Sequence, residues 1–476
     1  MPPSFLTSRP YLRVLSVARF KLVAIFLLVS TVLLFTSYSW GSIKTIASEK
    51  LRLDDDDNSP DYWAWDTVTS FRESSADAPD DICRDFPTDV LQRIQVTLKV
   101  GATESAARIN ASMDGVTACI DNLFVVADQA TELHGHQVHD VLADIAPFAK
   151  EINATDFQLY EALQRGDSNI GGEAGWKLDR FKFLPMIEQA KKKNPVAEWF
   201  VFLETDTYFV WDNVFRLLDQ FDPYAPHYFG SPSPGFKLDG GNRVWFAYGG
   251  AGFILSRGAM EMLTDRKIGK YGEYIDPSLS EKYMEVVNQD CCGDSVLGFA
   301  LWEAGVKLSG LWPMFNAHSL HGIPFDHVHW CQPVISLHKS LLSDVTGLAK
   351  WEAQRSKKNP LLYSEIIDYL QLGHLEDRNE WDNGDFSGFI EPAQSPAHES
   401  LAACRKACHE HKECFSFTYD SKKTCVFVRT IRLGQAKKLG DGSLTAGWDN
   451  EKILAWRESH HCEAPLWVKP SISRIF

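Results

Sequence analysis

Residues 199–210 read WFVFLETDTYFV, and the end of that run decides how the chain is read. The apolar stretch WFVFL (199–203) predicts a short buried strand. It stops at Glu204-Thr205-Asp206. Side chains alternate along a strand, so Glu204 and Asp206 are expected to face one way and Thr205 the other. In open α/β sheets, ligands bind beyond the carboxyl ends of the strands. Two acids facing one way at such an edge offer oxygen ligands to Mg2+ or Mn2+, cations that commonly share their ligands with substrate phosphates. The plainer alternative is a helix cap, with Asp206 or Asp212 opening the next helix.

Around this run the pattern alternates. VTLKV (96–100), NLFVVAD (122–128) and AGFILS (251–256) predict strands. LDRFKFLPMIEQAKK (178–192) has helical spacing with a kink expected at Pro185, DNVFRLLDQF (212–221) shows a helical apolar face, and DSVLGFALWEAG (294–305) predicts a helix stopped by Gly305. The fold class is therefore α/β, a sheet with helices on both faces.

The whole chain has 476 residues and a formal net charge of −15, which argues against a nucleic-acid partner. The basic residues Arg9, Arg13, Arg19 and Lys21 precede Leu22–Ile43, an uncharged apolar stretch long enough to cross a bilayer. A cleaved signal peptide is the rival reading. Tyr38 and Trp40 at its far end suit a membrane interface, and the basic flank sets the N-terminus on the cytosolic side. Ten cysteines and two sequons, Asn110-Ala-Ser112 and Asn153-Ala-Thr155, fit a lumenal body. The expected layout is a cytosolic tail at 1–21, an anchor at 22–43, an acidic stem at 44–81, an α/β domain at 82–345, a connector at 346–396 and a cysteine-rich module with its tail at 397–476. DDDD (54–57) in the stem reads as a solvated charge run.

Further candidate residues follow the acid pair. YGGAG (248–252) sets Gly249 and Gly250 before a strand, where glycine permits close backbone approach to a ligand. CCGDSVLG (291–298) puts Asp294 at a helix start, either as a cap or as a reactive acid. VISLHKS (334–340) ends in His338, a possible nitrogen ligand. Lys182 is a candidate point charge for a diphosphate. The histidines of HSLHGIPFDHVHW (318–330) have irregular spacing and read as loop or active-site rim residues rather than a zinc site, and HGHQVHD (134–140) reads as a loop.

As a set, these segments resemble glycosyltransferase family 31, the Fringe and core 1 β-1,3-galactosyltransferase group, over roughly 90–345. WFVFLETDTYFVWDNVFRLLDQFDPYAPHYFG (199–230) resembles its DxD segment, YGGAGFILS its glycine motif, GDSVLG its acidic motif, and ISLHKS its late strand ending in a metal-binding His. The resemblance implies a GT-A fold, a UDP-sugar donor, Mn2+ with Mg2+ as the alternative, and inversion at the anomeric carbon. It makes Asp206 and His338 metal ligands and Asp294 the catalytic base. Glu204 falls near the metal or the donor ribose, Lys182 near the donor, and Gly101-Ala102-Thr103 along the uridine pocket. The expected reaction moves a hexose, galactose first, to a glycan or glycoprotein acceptor in a β-1,3 linkage. The expected location is the Golgi (or ER) membrane, single-pass type II.

The chain departs from the family at Glu-Thr-Asp, where members commonly show three acids. GFKLDGGNRVWFAY (235–248), at the place of the acceptor loop, matches poorly. The alternative is a non-catalytic carbohydrate- or partner-binding protein on a transferase scaffold. CRKACHEHKECFSFTYDSKKTC (404–425) resembles a PAN/apple module, here a small disulfide-rich α+β unit suited to partner or glycan contact. Cys83 is expected to pair with Cys119, and one of Cys291 and Cys292 with Cys331.

Overall fold

The computed structural model describes residues 61–63, 65, 81–83, 85–167, 172–238 and 240–475. The expected anchor at 22–43, the DDDD run and most of the stem lie outside the described residues. Among the described residues no helix is long and apolar enough to cross a membrane. The chain divides into two compact units, 1–63 and 64–476. In the first, Tyr62–Trp63 forms a short strand. All elements below belong to the second.

Its centre is an eight-stranded mixed sheet. The strands are β1 (Ile94–Lys99), β2 (Phe124–Ala127), β3 (Thr131–Leu133), β4 (His136–Asp140), β5 (Trp199–Glu204), β6 (Tyr228–Gly230), β7 (Phe253–Ser256) and β8 (Ser309–Gly310), in the order β8-β6-β7-β5-β1-β2-β4-β3. β5, β1, β2 and β4 run parallel, while β7 is antiparallel to both β5 and β6. Every residue of β1 and β2 is buried, and so is β5 up to Leu203. Burial of alternate side chains in both directions requires cover on both faces of the sheet. Phe200 and Phe202 alone each contribute roughly 1.5–3 kcal/mol by leaving water.

Six helices frame the edge that matters: α1 (Ala106–Asp114), α2 (Gly172–Asp179), α3 (Phe183–Lys193), α4 (Trp211–Leu218), α5 (Leu279–Gln289) and α6 (Gly293–Glu303). The single kinked helix expected over 178–192 is two helices. The break falls at 180–182, so Pro185 sits in the first turn of α3, where its missing N–H has no partner to lose. HGHQVHD is a hairpin rather than a loop. His134 and Gly135 both take positive φ, the geometry of a two-residue turn, and Val138 buries from β4.

The C-terminal module is a five-stranded antiparallel sheet flanked by the helix Leu401–Glu410. Its outer strands, Arg378–Asn379 and Gly388–Ile390, arise within the expected connector at 346–396, so that stretch is built into the module. Cys404–Cys425 and Cys408–Cys414 staple the helix to the sheet and across its end.

Cys83 bonds Cys119 as expected. The pairing expected between the 291–292 pair and Cys331 is corrected: Cys291 bonds Cys292, and Cys331 bonds Cys462. The reason is the returning C-terminal segment. Leu466 N–H donates to the Cys331 carbonyl at 2.9 Å and Trp330 Nε1 donates to the His460 carbonyl at 2.5 Å, which brings Cys462 alongside.

Candidate active site

The carboxyl ends of β1 and β5 lie side by side, with Lys99 in register with Glu204. β5 ends at Glu204, and Thr207 closes the following turn. Its N–H donates to the Glu204 carbonyl at 3.1 Å, and its Oγ1 donates to the Gly250 carbonyl at 2.7 Å while accepting from the Glu204 N–H at 3.1 Å. Thr205 belongs to this turn rather than to the strand. It therefore faces the same cavity as its neighbours and donates to the Glu104 carboxylate.

His338 arrives from another direction. The short strand Ser336–Leu337 pairs antiparallel with Tyr208–Phe209, directly after the acid turn. The imidazole is buried, with Nδ1 3.3 Å from the Ala317 carbonyl and Nε2 3.6 Å from Asp206 Oδ1. A proton on Nδ1 leaves the Nε2 lone pair directed at Asp206. Ligand atoms of Glu204, Asp206 and His338 all lie within 4.8 Å of one another. Two carboxylates and one imidazole suit a hard divalent cation, so the residues present fit one. Gly250 is required beside them, because an added Cβ there would lie 2.3 Å from His338 Nε2.

Asp294 enters from the start of α6. Cys292 is the N-cap residue, so Asp294 is free of capping and its carboxylate accepts from Ser295 N–H at 2.9 Å and Gly249 N–H at 2.8 Å. Burial pushes its carboxyl up to about 6, with the Glu204 charge adding to the rise and the Gly249 N–H opposing it. A carboxylate with that affinity for protons is suited to general-base work near neutral pH.

A cavity of about 570 Å³ gathers these groups. Of the residues singled out from the sequence, Gly101, Thr103, Lys182, Glu204, Asp206, Gly250, Asp294 and His338 line it. Ala102 and Gly249 stand behind the wall, where the Ala102 N–H donates to Asp128 at 2.8 Å and the Gly249 N–H to Asp294. Lys182 is 1% exposed. Its ammonium donates to the Val100 carbonyl at 3.2 Å and sits 3.4 Å from Asp128 and 3.5 Å from Asp179, so its charge is held within the wall.

Sequence reading misses Lys99, Asp179, Arg108 and Trp176, which line the same cavity. Arg108, on α1, reaches to 3.5 Å from Asp206, and Trp176 is 63% exposed at the lip. Lys99 Nζ lies 2.5 Å from Asp179 and 3.1 Å from Glu204. Burial alone would lower its pKa, but the two carboxylates outweigh that and hold it above the usual lysine range. A single charge at the end of a strand that otherwise carries none, IQVTLK, is the one available signal.

Cys291 and Cys292 also line the cavity, joined to each other. Their sulfurs are thus closed to metal, although Asp290 lies beside them. The histidines at 318–330 form no converging group of three ligands among the described residues. His321 pairs with Asp344 at 3.0 Å and His329 with Asp326 at 2.9 Å.

The mixed α/β sheet, with this ligand edge at the ends of its parallel strands, has the GT-A fold that a Fringe-like domain implies. Residues 172–339 match the Fringe-like family model, and residues 380–438 match the PAN domain model. The chain thus carries a Fringe-like domain, a marker of glycosyltransferase family 31, followed by a PAN domain.

Proposed function

We propose that the protein is an inverting, divalent-metal-dependent glycosyltransferase that moves a hexose from a UDP-sugar to a glycan acceptor. Galactose is the first donor to test and β-1,3 the linkage favoured by the family resemblance. The observation that carries the reading is the convergence of Glu204, Asp206 and His338 on a cavity that Asp294 also lines.

Asp206 and His338 would hold the cation, with Glu204 beside them. Bound there, a divalent ion supplies positive charge against the diphosphate leaving group. Gly101 and Thr103 would line the nucleotide end of the cavity with Ala102 behind them, and Gly250, next to Gly249, leaves room beside His338. Asp294 takes the proton from the acceptor hydroxyl as that oxygen attacks the anomeric carbon. One base on the face opposite the departing UDP gives inversion.

Three observations support a lumenal body on a Golgi anchor. All ten cysteines are paired, the apolar stretch at 22–43 follows a basic flank, and Fringe-like proteins are typically Golgi residents. The PAN domain would add contact with protein or carbohydrate partners.

The test is UDP release by the full chain from a panel of UDP-sugars, with and without Mn2+, beside Asp206→Ala and Asp294→Asn. Metal-dependent release from one donor, lost in both variants, supports the reading and names the sugar. If no donor turns over and UDP binds no better with Mn2+, a binding protein on a transferase scaffold is the better description.

A further inference from the structure

We propose that Lys99 is a positioning residue for the cation edge, acting through Glu204. This rests on the reading of Glu204, Asp206 and His338 as a cation site.

Lys99 and Glu204 are direct partners across the parallel strands β1 and β5, both at the carboxyl end. Lys99 is 6% exposed, and its ammonium lies over the Phe183 ring at 4.6 Å. It touches Glu204 on one side at 3.1 Å and Asp179 on the other at 2.5 Å. Behind them the charges keep alternating. Asp179 lies 3.5 Å from Lys182, which lies 3.4 Å from Asp128. Asp128 accepts the Ala102 N–H. A series of opposite charges, buried at Lys99, Lys182 and Asp128 and partly exposed at Glu204 and Asp179, thus runs from the acid turn to the loop at 101–103.

Two consequences follow. A carboxylate bonded to a buried ammonium has one preferred orientation, so Glu204 is fixed before any ion arrives. The side chain at 204 must also span from the strand edge to Lys99 while facing Asp206 and His338. Glutamate has one methylene more than aspartate and makes that span. Glutamate at 204, rather than a shorter acid, is then the counterpart of Lys99.

The sign of the effect separates positioning from bulk charge. Removing a positive charge beside a cation site should tighten cation binding by simple electrostatics. Loss of positioning should weaken it.

The experiment measures Mn2+ binding to the full chain by calorimetry without donor. The proteins are wild type, Lys99→Met, Glu204→Gln, Glu204→Asp and the Lys99→Met/Glu204→Gln pair, each with its melting temperature. Lys99→Met and Glu204→Asp are expected to weaken Mn2+ binding by about 10- to 100-fold. Once Glu204 is already Gln, adding Lys99→Met should change little, because its intermediary is gone. Should Lys99→Met fail to fold, Lys99→Met with Asp179→Asn also removes the acid that Lys99 bonds at 2.5 Å and carries the same comparison. Tighter or unchanged Mn2+ binding, or additive single effects, overturns the proposal and leaves the transferase reading intact. A wild type that binds no Mn2+ overturns the cation site and this proposal together.

Discussion

Asp294 Oδ2 accepts the Gly249 N–H at 2.8 Å, which ties the head of α6 to the glycine turn before β7. The proposed base is therefore oriented by the backbone of the glycine turn as well as by its own helix. Asp294 must be ionised to act, and its carboxyl is pushed up to about 6 by burial. The expected pH profile of kcat/KM is flat above that value and falls about tenfold per pH unit below it. Its folded pKa lies above the unfolded one, so the stability this group adds in acid is lost as pH rises through about 6. Asp294→Asn should cost about 10²- to 10⁴-fold in kcat and abolish that acid limb.

Gly250→Ala should weaken Mn2+ binding by about tenfold or more, since its Cβ would strike the His338 ring. Gly101→Ala is the contrast. Its Cβ would meet only Glu104, at 3.8 Å, so the melting temperature should hold. If a nucleotide packs on that backbone, UDP affinity falls all the same, and calorimetry with UDP reads the difference.

The two sequons are not equivalent. Asn110 is exposed on α1 and is joined to His134 through its Oδ1, at 2.9 Å. Asn153 caps a helix through its Oδ1, and its Nδ2 donates to both Asp156 and Asn288. A glycan on Nδ2 would remove one of those two bonds. Protein from a eukaryotic secretory pathway should carry one glycan, lost in Asn110→Gln and kept in Asn153→Gln. The latter should instead lose about 1 kcal/mol from the cap. Mass spectrometry before and after glycan removal decides this, and a glycan on Asn153 would refute it.

Cys331–Cys462 closes a separation of 131 residues. By loop entropy, replacing both with serine should lower stability by as much as about 5 kcal/mol. Chemical denaturation of the paired-serine variant measures the loss.

In the sheet, β3 and β4 carry polar exposed residues, and β6 and β8 are too short to show a period. The other half, β1, β2, β5 and β7, is legible in the sequence because each of those strands is a short, mostly apolar run. The acid pair, Asp294 and His338 stand out for the same reason: charged groups follow immediately on buried strands or open a helix. Lys99 does not stand out, because a strand-end lysine usually reaches water. Only the register of two strands far apart in sequence sets it against Glu204. Lys182 shows the reverse error, since helical spacing suggests a free charge where Asp128 and Asp179 enclose it. The Cys331 partner is illegible because it depends on where the chain's end returns.

That same bond constrains any attempt to take the protein apart. A chain truncated before Cys462 leaves Cys331 as a lone thiol, seven positions ahead of His338. In an oxidising lumen such a thiol seeks partners in other molecules. Activity lost on deleting the PAN region would then report a mispaired cysteine as readily as a missing module, unless Cys331 is replaced in the same step.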